Sequence, residues 1–317
     1  MYKKLTTPIL FLIFNRPDTT QRVFDEIRKA RPTKLFIAAD GPRKNKEGEK
    51  EKCEQTRKII EQIDWDCKAK TLFRNKNLGC KMAISSAIDW FFENVEEGII
   101  LEDDCLPDQS FFWFCQELLE KYKTDKRIFV ISGDNFLFGH KRTNYSYYFS
   151  RYTHCWGWAT WRRAWQYYDG EMKIWPEIKN ENWLKDILEN SSAVKYWSDI
   201  FQHAYENKID TWDYPWTFSC WIQSGLTIIP NVNLISNIGF RAESTHTKYR
   251  SRFANMSVTD MDFPLRHPPF VIKNREADNF VQKTHFELNI FLRIIKKILK
   301  KIIDRKQKRV IDKFLKN

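Results

Sequence analysis

Several signatures are missing from this 317-residue chain, and each absence removes a class of protein. It has neither a GxxxxGK[ST] loop nor a GxGxxG fingerprint, which excludes P-loop nucleotidases and dinucleotide-binding Rossmann enzymes. No apolar run approaches the roughly 18–20 residues that a membrane span needs. Seven cysteines (Cys53, Cys67, Cys80, Cys105, Cys115, Cys155 and Cys220) form no CxxC pair. They therefore build neither a zinc site nor a disulfide framework and read as reduced thiols. Glycine and proline are scarce, at 10 and 11 residues, while 42% of the chain is hydrophobic and 30% charged. That balance excludes disordered and collagen-like chains and is ample for a sizeable core. The N-terminal stretch has no long apolar region and no small-residue cleavage site, so no secretory signal is expected and the protein is placed in the cytoplasm.

The charge, +12 overall, is concentrated at one end. Residues 288–317 carry 11 Lys/Arg against Asp304 and Asp312, a net +9, which leaves the preceding 287 residues almost neutral. Phe291, Ile294, Ile295, Ile298, Leu299, Ile302 and Ile303 recur at helical spacing, with basic residues filling the other face. Such a helix suits an anionic membrane surface, which would make the protein peripheral at the cytosolic face. The same stripe would serve a second copy of the chain, so a homo-oligomer stays an alternative. The near-neutral body argues against nucleic acid as a partner, although the basic tail keeps that alternative alive.

The first third alternates strand-like and helix-like runs. Ile9–Phe14 reads as a buried strand, and Asp18 with Gln21 as a capping signal for a helix over Thr19–Ala30. Strands are expected at Leu35–Ala38, Ala69–Phe73 and Gly98–Leu101, with helices over Glu49–Ile63 and Leu78–Phe92 between them. This alternation predicts an α/β fold with a mostly parallel central sheet flanked by helices. Ligands of such sheets sit at the carboxyl ends of strands. The residues that matter most are therefore Asn15 and Arg16, Asp40, Arg74, and Glu102, Asp103 and Asp104. Ten of the 13 tryptophans lie between Trp156 and Trp221, so the second half has a different character, and 250–285 reads as an irregular wrap. The expected organisation is a catalytic domain over 1–287, with a nucleotide-sugar half over about 1–105 and an acceptor half over about 106–287. A basic amphipathic tail over 288–317 completes it.

The sharpest chemical feature is the apolar strand that runs directly into Glu102-Asp103-Asp104. Unpaired carboxylates concentrated at a strand end demand a cation, and hard oxygen donors favour Mg²⁺ or Mn²⁺. The bland alternative is an acidic turn capping the helix after Pro107-Asp108. Aromatic faces stack on sugar rings, although core packing accounts for most of the tryptophans. The glycine-rich basic motif of sugar-nucleotide pyrophosphorylases is absent after the first strand.

The order of motifs resembles that of inverting GT-A-fold glycosyltransferases, in particular the Golgi β-1,2-N-acetylglucosaminyltransferases of N-glycan synthesis, over about residues 8–250. Pro8–Arg16 is similar to that family's first strand, whose Arg contacts the nucleotide, and Ile37–Gly41 to its second, whose Asp reads uracil. Leu101–Asp104 with Pro107-Asp108 and Phe111-Phe112 resembles the Glu-Asp-Asp metal motif, which places the metal ligand at Asp104. Cys155–Trp161 resembles the acceptor-side segment, implying Trp156, Trp158, Trp161 and Trp212 as acceptor contacts. Trp212-Asp213-Tyr214-Pro215-Trp216 resembles the element carrying the catalytic base. Asp213 stands where the family has two adjacent Asp; were the second the base, Asp210 would be the nearest substitute. His246 parallels a His that approaches the metal or diphosphate, and Arg74 and Lys81 are candidate phosphate contacts. The resemblance implies metal-assisted transfer from a nucleotide sugar, with UDP favoured through Asp40, to a cell-surface glycan or lipid-linked acceptor. The rival is a non-catalytic binding protein with a degenerate transferase fold.

Overall fold

The computed structural model describes residues 4–240 and 252–287. His246 and the tail over 288–317 lie outside the described residues. Strands β1 (Ile9–Ile13), β2 (Lys34–Ala39), β3 (Lys68–Phe73) and β4 (Glu97–Glu102) alternate with helices α1 (Pro17–Ala30), α2 (Glu49–Lys58) and α3 (Gly79–Asn94). β1 pairs in parallel with both β2 and β4, and β2 with β3. After β5 (Cys105–Pro107) and helix α4 (Gln109–Lys121) come β6 (Ile128–Ser132), β7 (Tyr147–Ser150) and β8 (Trp158–Trp161). Helices α5 (Arg162–Trp165), α6 (Trp175–Asn180), α7 (Leu184–Ile187), α8 (Ser191–Tyr205) and α9 (Asp213–Ile222) precede β9 (Leu226–Pro230) and β10 (Ile235–Asn237). Helix α10 (Arg275–Val281) and a π-helical turn over Gln282–Glu287 follow.

One eight-stranded sheet, in the order β3-β2-β1-β4-β8-β6-β9-β7, takes strands from both halves of the chain. β8 runs antiparallel to β4 and β6, and β7 to β9; the other six strands point the same way. The expected α/β architecture is therefore the observed one. β5 and β10 form a small antiparallel pair just beyond the end of β4.

The alternation of side chains along each strand fills both faces. Leu10, Leu12, Phe36, Ala38, Ile100, Val130 and Trp158 enter one apolar core, and Ile9, Phe11, Ile37, Ile99, Leu101, Ala159 and Trp161 the other. β3 differs: its first four residues are exposed, and Lys68 and Lys70 mark it as a protected edge strand.

Several boundaries shift for physical reasons. α1 begins at Pro17 with Arg16 as N-cap and no side-chain cap, because proline at the first helical position needs no amide partner. Gln21, expected in a capping box, instead bonds Asp25 and Gln62. The charged helix stops at Lys58 and tightens into a 3₁₀ turn over Ile59–Gln62. Asp108 does cap α4, accepting a hydrogen bond from the Ser110 amide at 2.9 Å. The acidic triplet before it is thus not needed as that helix's cap.

Candidate active site

The aligned strands bring their carboxyl ends to one side of the sheet. Arg16 follows β1, Asp40 follows β2, Arg74 follows β3, Asp103 and Asp104 follow β4, and Asp134 follows β6. Arg16 reaches across to the acidic triplet: its Nη1 lies 2.5 Å from Asp104 Oδ2 and 3.4 Å from Asp103 Oδ1. Asp103 is also held by the Phe14 amide at 3.1 Å, which ties the end of β4 to the end of β1. Attraction by Asp103, with further contributions from Asp104 and Glu102, raises the Arg16 guanidinium above its already high ordinary pKa despite burial.

Glu102 and Asp103 are both pushed well above the usual carboxylate range, chiefly by burial. For Glu102 the neighbouring charges of Asp104, Asp103 and Asp213 add to the effect; for Asp103 the Arg16 charge opposes it. The charge of Asp213 thus acts on Glu102, although Asp213 belongs to α9 on the far half of the chain. Asp213 occupies the first position of α9, after Trp212 as N-cap, and its Oδ1 accepts a hydrogen bond from the Thr211 hydroxyl. Cys80, Tyr168 and Cys155 surround it closely enough for its charge to push all three groups' pKa values up, after the larger effect of burial. Asp210 plays a different part, because its carboxylate caps α3 by accepting from the Cys80 and Lys81 amides at 2.9 Å each. Asp210 is thus engaged as a helix cap, whereas the charge of Asp213 acts on Glu102.

The segment after β10 closes over Asp104. The Ile238 amide donates to the Asp104 carbonyl at 2.8 Å, and a Cβ on Gly239 would lie 2.0 Å from Asp104 Oδ2. Only hydrogen fits there, so the Gly239 backbone packs directly against that oxygen. Phe240 then packs edge-on against Trp156, with ring centroids 5.6 Å apart.

Other expectations change on the structure. Trp158, Trp161 and Trp212 are 0%, 2% and 3% exposed, so they pack the interior and present no face to an acceptor. Trp158 stacks on Trp212 at 5.4 Å, and the Trp161 indole donates to the Leu119 carbonyl at 3.2 Å. Their place on or beside the central strand β8 explains it, since both faces of that strand are covered. Trp156 alone of the four is partly exposed. Asp40 has its carboxylate taken up by the Gly41 and Leu78 amides and the Asn77 side chain, at 2.9–3.1 Å. Its oxygens fix the loop between β3 and α3. Lys81 is buried and bound to Glu171 at 3.1 Å and Asn207 at 3.0 Å, so it is spent on structure rather than on a phosphate. Asn15 donates to Glu49 at 2.9 Å, and Arg74 to Ser86 at 2.8 Å while burial lowers its guanidinium pKa.

Asp134 is a site residue that strand periodicity did not single out. It is fully buried, accepts from the Trp156 amide at 3.1 Å, and leaves Oδ1 without a partner among the described residues. The signal was present: the apolar run Ile128–Ile131 passes through Ser132-Gly133 to Asp134, as the run before Glu102 passes into its carboxylates.

Among the described residues no group of three or more His, Cys, Asp or Glu is arranged to hold a metal ion unaided. Asp103 and Asp104 are instead paired with Arg16. Asp103, Asp104 and Asp213 lie near enough to Glu102 for their charges to act on it. Magnesium-type ions are commonly held by one or two carboxylates together with substrate phosphates.

No family model and no curated protein matches the chain. Solved structures share part of it. HddC from Yersinia pseudotuberculosis is 10% identical with a TM-score of 0.28, over 40% of this chain and 57% of that one. The inositol-1-phosphate CTP transferase from T. maritima is 8% identical with a TM-score of 0.30, over 52% and 74%. A UDP-glucose pyrophosphorylase complexed with UDP-glucose is 14% identical with a TM-score of 0.24, over 42% and 64%. The match thus spans little more than half the length of the first of these proteins. Superpositions this partial assign nothing about function, which has to be read from the site itself.

Proposed function

We propose that the chain is an inverting, metal-assisted glycosyltransferase that moves a sugar from a nucleotide donor to a glycan or lipid-linked acceptor. The observation that supports this is that Asp213, from the second half of the chain, lies close enough for its charge to act on Glu102 at the end of β4. That proximity sets one carboxylate of the second half beside a cation-demanding group of the first. Inverting transfer needs that pairing: a base for the acceptor hydroxyl, and positive charge for the departing diphosphate.

In this scheme Asp213 accepts the acceptor's hydroxyl proton at a carboxylate oxygen as that hydroxyl attacks the anomeric carbon. Thr211 orients the carboxylate through Oδ1. Arg16 supplies a fixed cation at the phosphate side, and Trp156 a partly exposed aromatic face for a sugar ring. Asp104, with Glu102 beside it, would hold Mn²⁺ or Mg²⁺, which when bound supplies charge stabilisation to the leaving diphosphate. UDP is favoured because Asp40 stands at the uracil-reading position of the family this chain resembles.

We place the enzyme at the cytosolic face of an anionic membrane through 288–317, where a lipid-linked acceptor would meet it. No helix among the described residues is long and apolar enough to cross a membrane. Calorimetric titration of UDP, GDP and CMP with and without Mn²⁺ tests the donor and the metal together. Manganese-dependent binding of one nucleotide, lost on Asp104→Asn, is the expected result. Absence of binding by all three would refute the transferase and return attention to the basic tail. Nucleotide binding that ignores Mn²⁺ and Asp104 would favour a non-catalytic binding protein.

A further inference from the structure

Near the end of the described chain an apolar pair faces outward. Phe270 and Ile272 are 48% and 66% exposed, while Val271 between them packs inward against one of the two cores. Alternation along extended backbone turns the flanking side chains away from that core. The segment is fixed in place. Lys273 forms a parallel bridge with Phe149 of β7, and the Asn274 amide donates to the Phe149 carbonyl at 2.7 Å. The Tyr145 ring meets Phe270 edge-on, with centroids 5.9 Å apart. Two apolar side chains held to the outside at a defined place mark a contact surface.

Basic residues rim this pair. Lys273 and Arg275 share the carboxylate of Glu189 with Arg151, which is buried and also paired with Asp278. Arg275, Glu189 and Lys283 line one cleft, and Lys283 has no ion-pair or hydrogen-bond partner among the described residues. Asn190, in the same cleft, caps α8 by accepting from the Ser192 amide at 2.8 Å, and the Ser192 hydroxyl donates to Glu287 at 2.5 Å. Glu287 is the residue from which the basic segment 288–317 continues. The apolar pair, the basic side chains and the origin of the basic segment thus belong to one connected surface.

We propose that Phe270 and Ile272, with Lys273, Arg275 and Lys283 around them, are a docking surface of the folded body for an anionic lipid bilayer. The inference rests on the membrane placement given above, and adds a second contact that holds the body itself against the bilayer. Charge complementarity selects this occupant. An apolar pair ringed by cations matches the boundary between anionic headgroups and acyl chains. The basic segment leaves from the same surface, so the two contacts are joined by one short stretch of chain. Each then raises the effective concentration of the other at the membrane.

The test is cosedimentation of the full chain with phosphatidylcholine vesicles, with and without phosphatidylserine. It compares the wild type with the double variant Phe270→Ser/Ile272→Ser, with Lys283→Gln, and with Met82→Ser as an exposed apolar control on α3, with thermal unfolding alongside. The wild type should bind the phosphatidylserine vesicles and the double variant should bind them about tenfold more weakly. Lys283→Gln should lose about fivefold, and Met82→Ser should match the wild type. Undiminished binding by a double variant that still melts cooperatively overturns the docking surface and leaves membrane contact through 288–317 and the transferase reading intact. An equal loss in Met82→Ser overturns the localisation to this surface. A wild-type dimer in sedimentation equilibrium that the double variant dissolves makes the surface a contact between copies and overturns the lipid assignment. Failure of the wild type to bind either vesicle overturns the membrane placement itself, and the docking surface with it, whatever the outcome of the nucleotide titrations.

Discussion

Replacing Asp134 with asparagine probes the electrostatics of the strand-end row without touching the triplet. The carboxyl is fully buried, with one oxygen accepting from the Trp156 amide and the other unpartnered among the described residues. Burial pushes its pKa from 3.8 up to about 8. A group whose folded pKa lies above its unfolded value contributes stability in full below the unfolded pKa. That contribution is lost as pH rises toward the folded one, because the unfolded chain gives up a proton that the folded chain keeps. Between pH 5 and pH 8 the loss amounts to about 4 kcal/mol at roughly 1.4 kcal/mol per pH unit. Asparagine retains an acceptor for the Trp156 amide and carries no charge, so it is spared this penalty. It introduces a buried amide donor whose cost, about 1–3 kcal/mol, does not vary with pH. Urea unfolding of both proteins at pH 5 and pH 8.5 separates the two effects. The stability of Asp134→Asn relative to the wild type should rise by about 3–4 kcal/mol across that interval. The neighbouring thiols of Cys105 and Cys155 stay neutral throughout, since burial raises both well above 9. A difference that is constant with pH would refute the claim that this carboxyl is held neutral by its burial.

Further outcomes follow from the packing and from the division of roles among the aspartates. Gly239→Ala drives a methyl into Asp104 Oδ2 and should cost about 1–3 kcal/mol by overpacking while weakening Mn²⁺-dependent nucleotide binding; an unchanged Tm and unchanged affinity would contradict the close approach. Trp158→Ala empties the centre of the aromatic stack with Trp212, Trp165 and Trp216 and should cost about 3–5 kcal/mol in urea unfolding. A small loss there would mean that the side chain is not the core element its burial indicates. Asp210→Ala removes the cap of α3 and should lower stability by about 1 kcal/mol with transfer retained. Asp213→Asn should abolish transfer and keep the fold, so a reversed pattern in the two variants would exchange the roles assigned to these aspartates.

Periodicity and residue type were enough to specify the parallel half of the sheet and the chemistry at its edge. Apolar runs at Ile9–Phe14, Leu35–Ala38 and Gly98–Leu101 can bury both faces only as strands covered by helices. The residues that follow such strands must then collect on one side, so Arg16 and the Glu102–Asp104 triplet were legible as a site. Local sequence also carried the helix cap at Asp108. What it did not carry is how much of each side chain remains for a ligand. Asp40 and Lys81 have the residue types of a nucleotide site, yet the amide of Leu78 and the carboxylate of Glu171 claim them. Three of the four tryptophans expected at the acceptor lie inside, because β8 is inserted between β4 and β6 and is covered on both faces. The surroundings of Asp210 and Asp213 likewise belonged to the packing of distant segments: three residues apart in sequence, one caps the start of α3 while the charge of the other acts on Glu102. Residue type and strand periodicity are local properties, present in any stretch of the chain before it folds. Burial and partnership arise when segments far apart in sequence, in some cases more than a hundred residues, are brought together, so they are settled only by the folded packing.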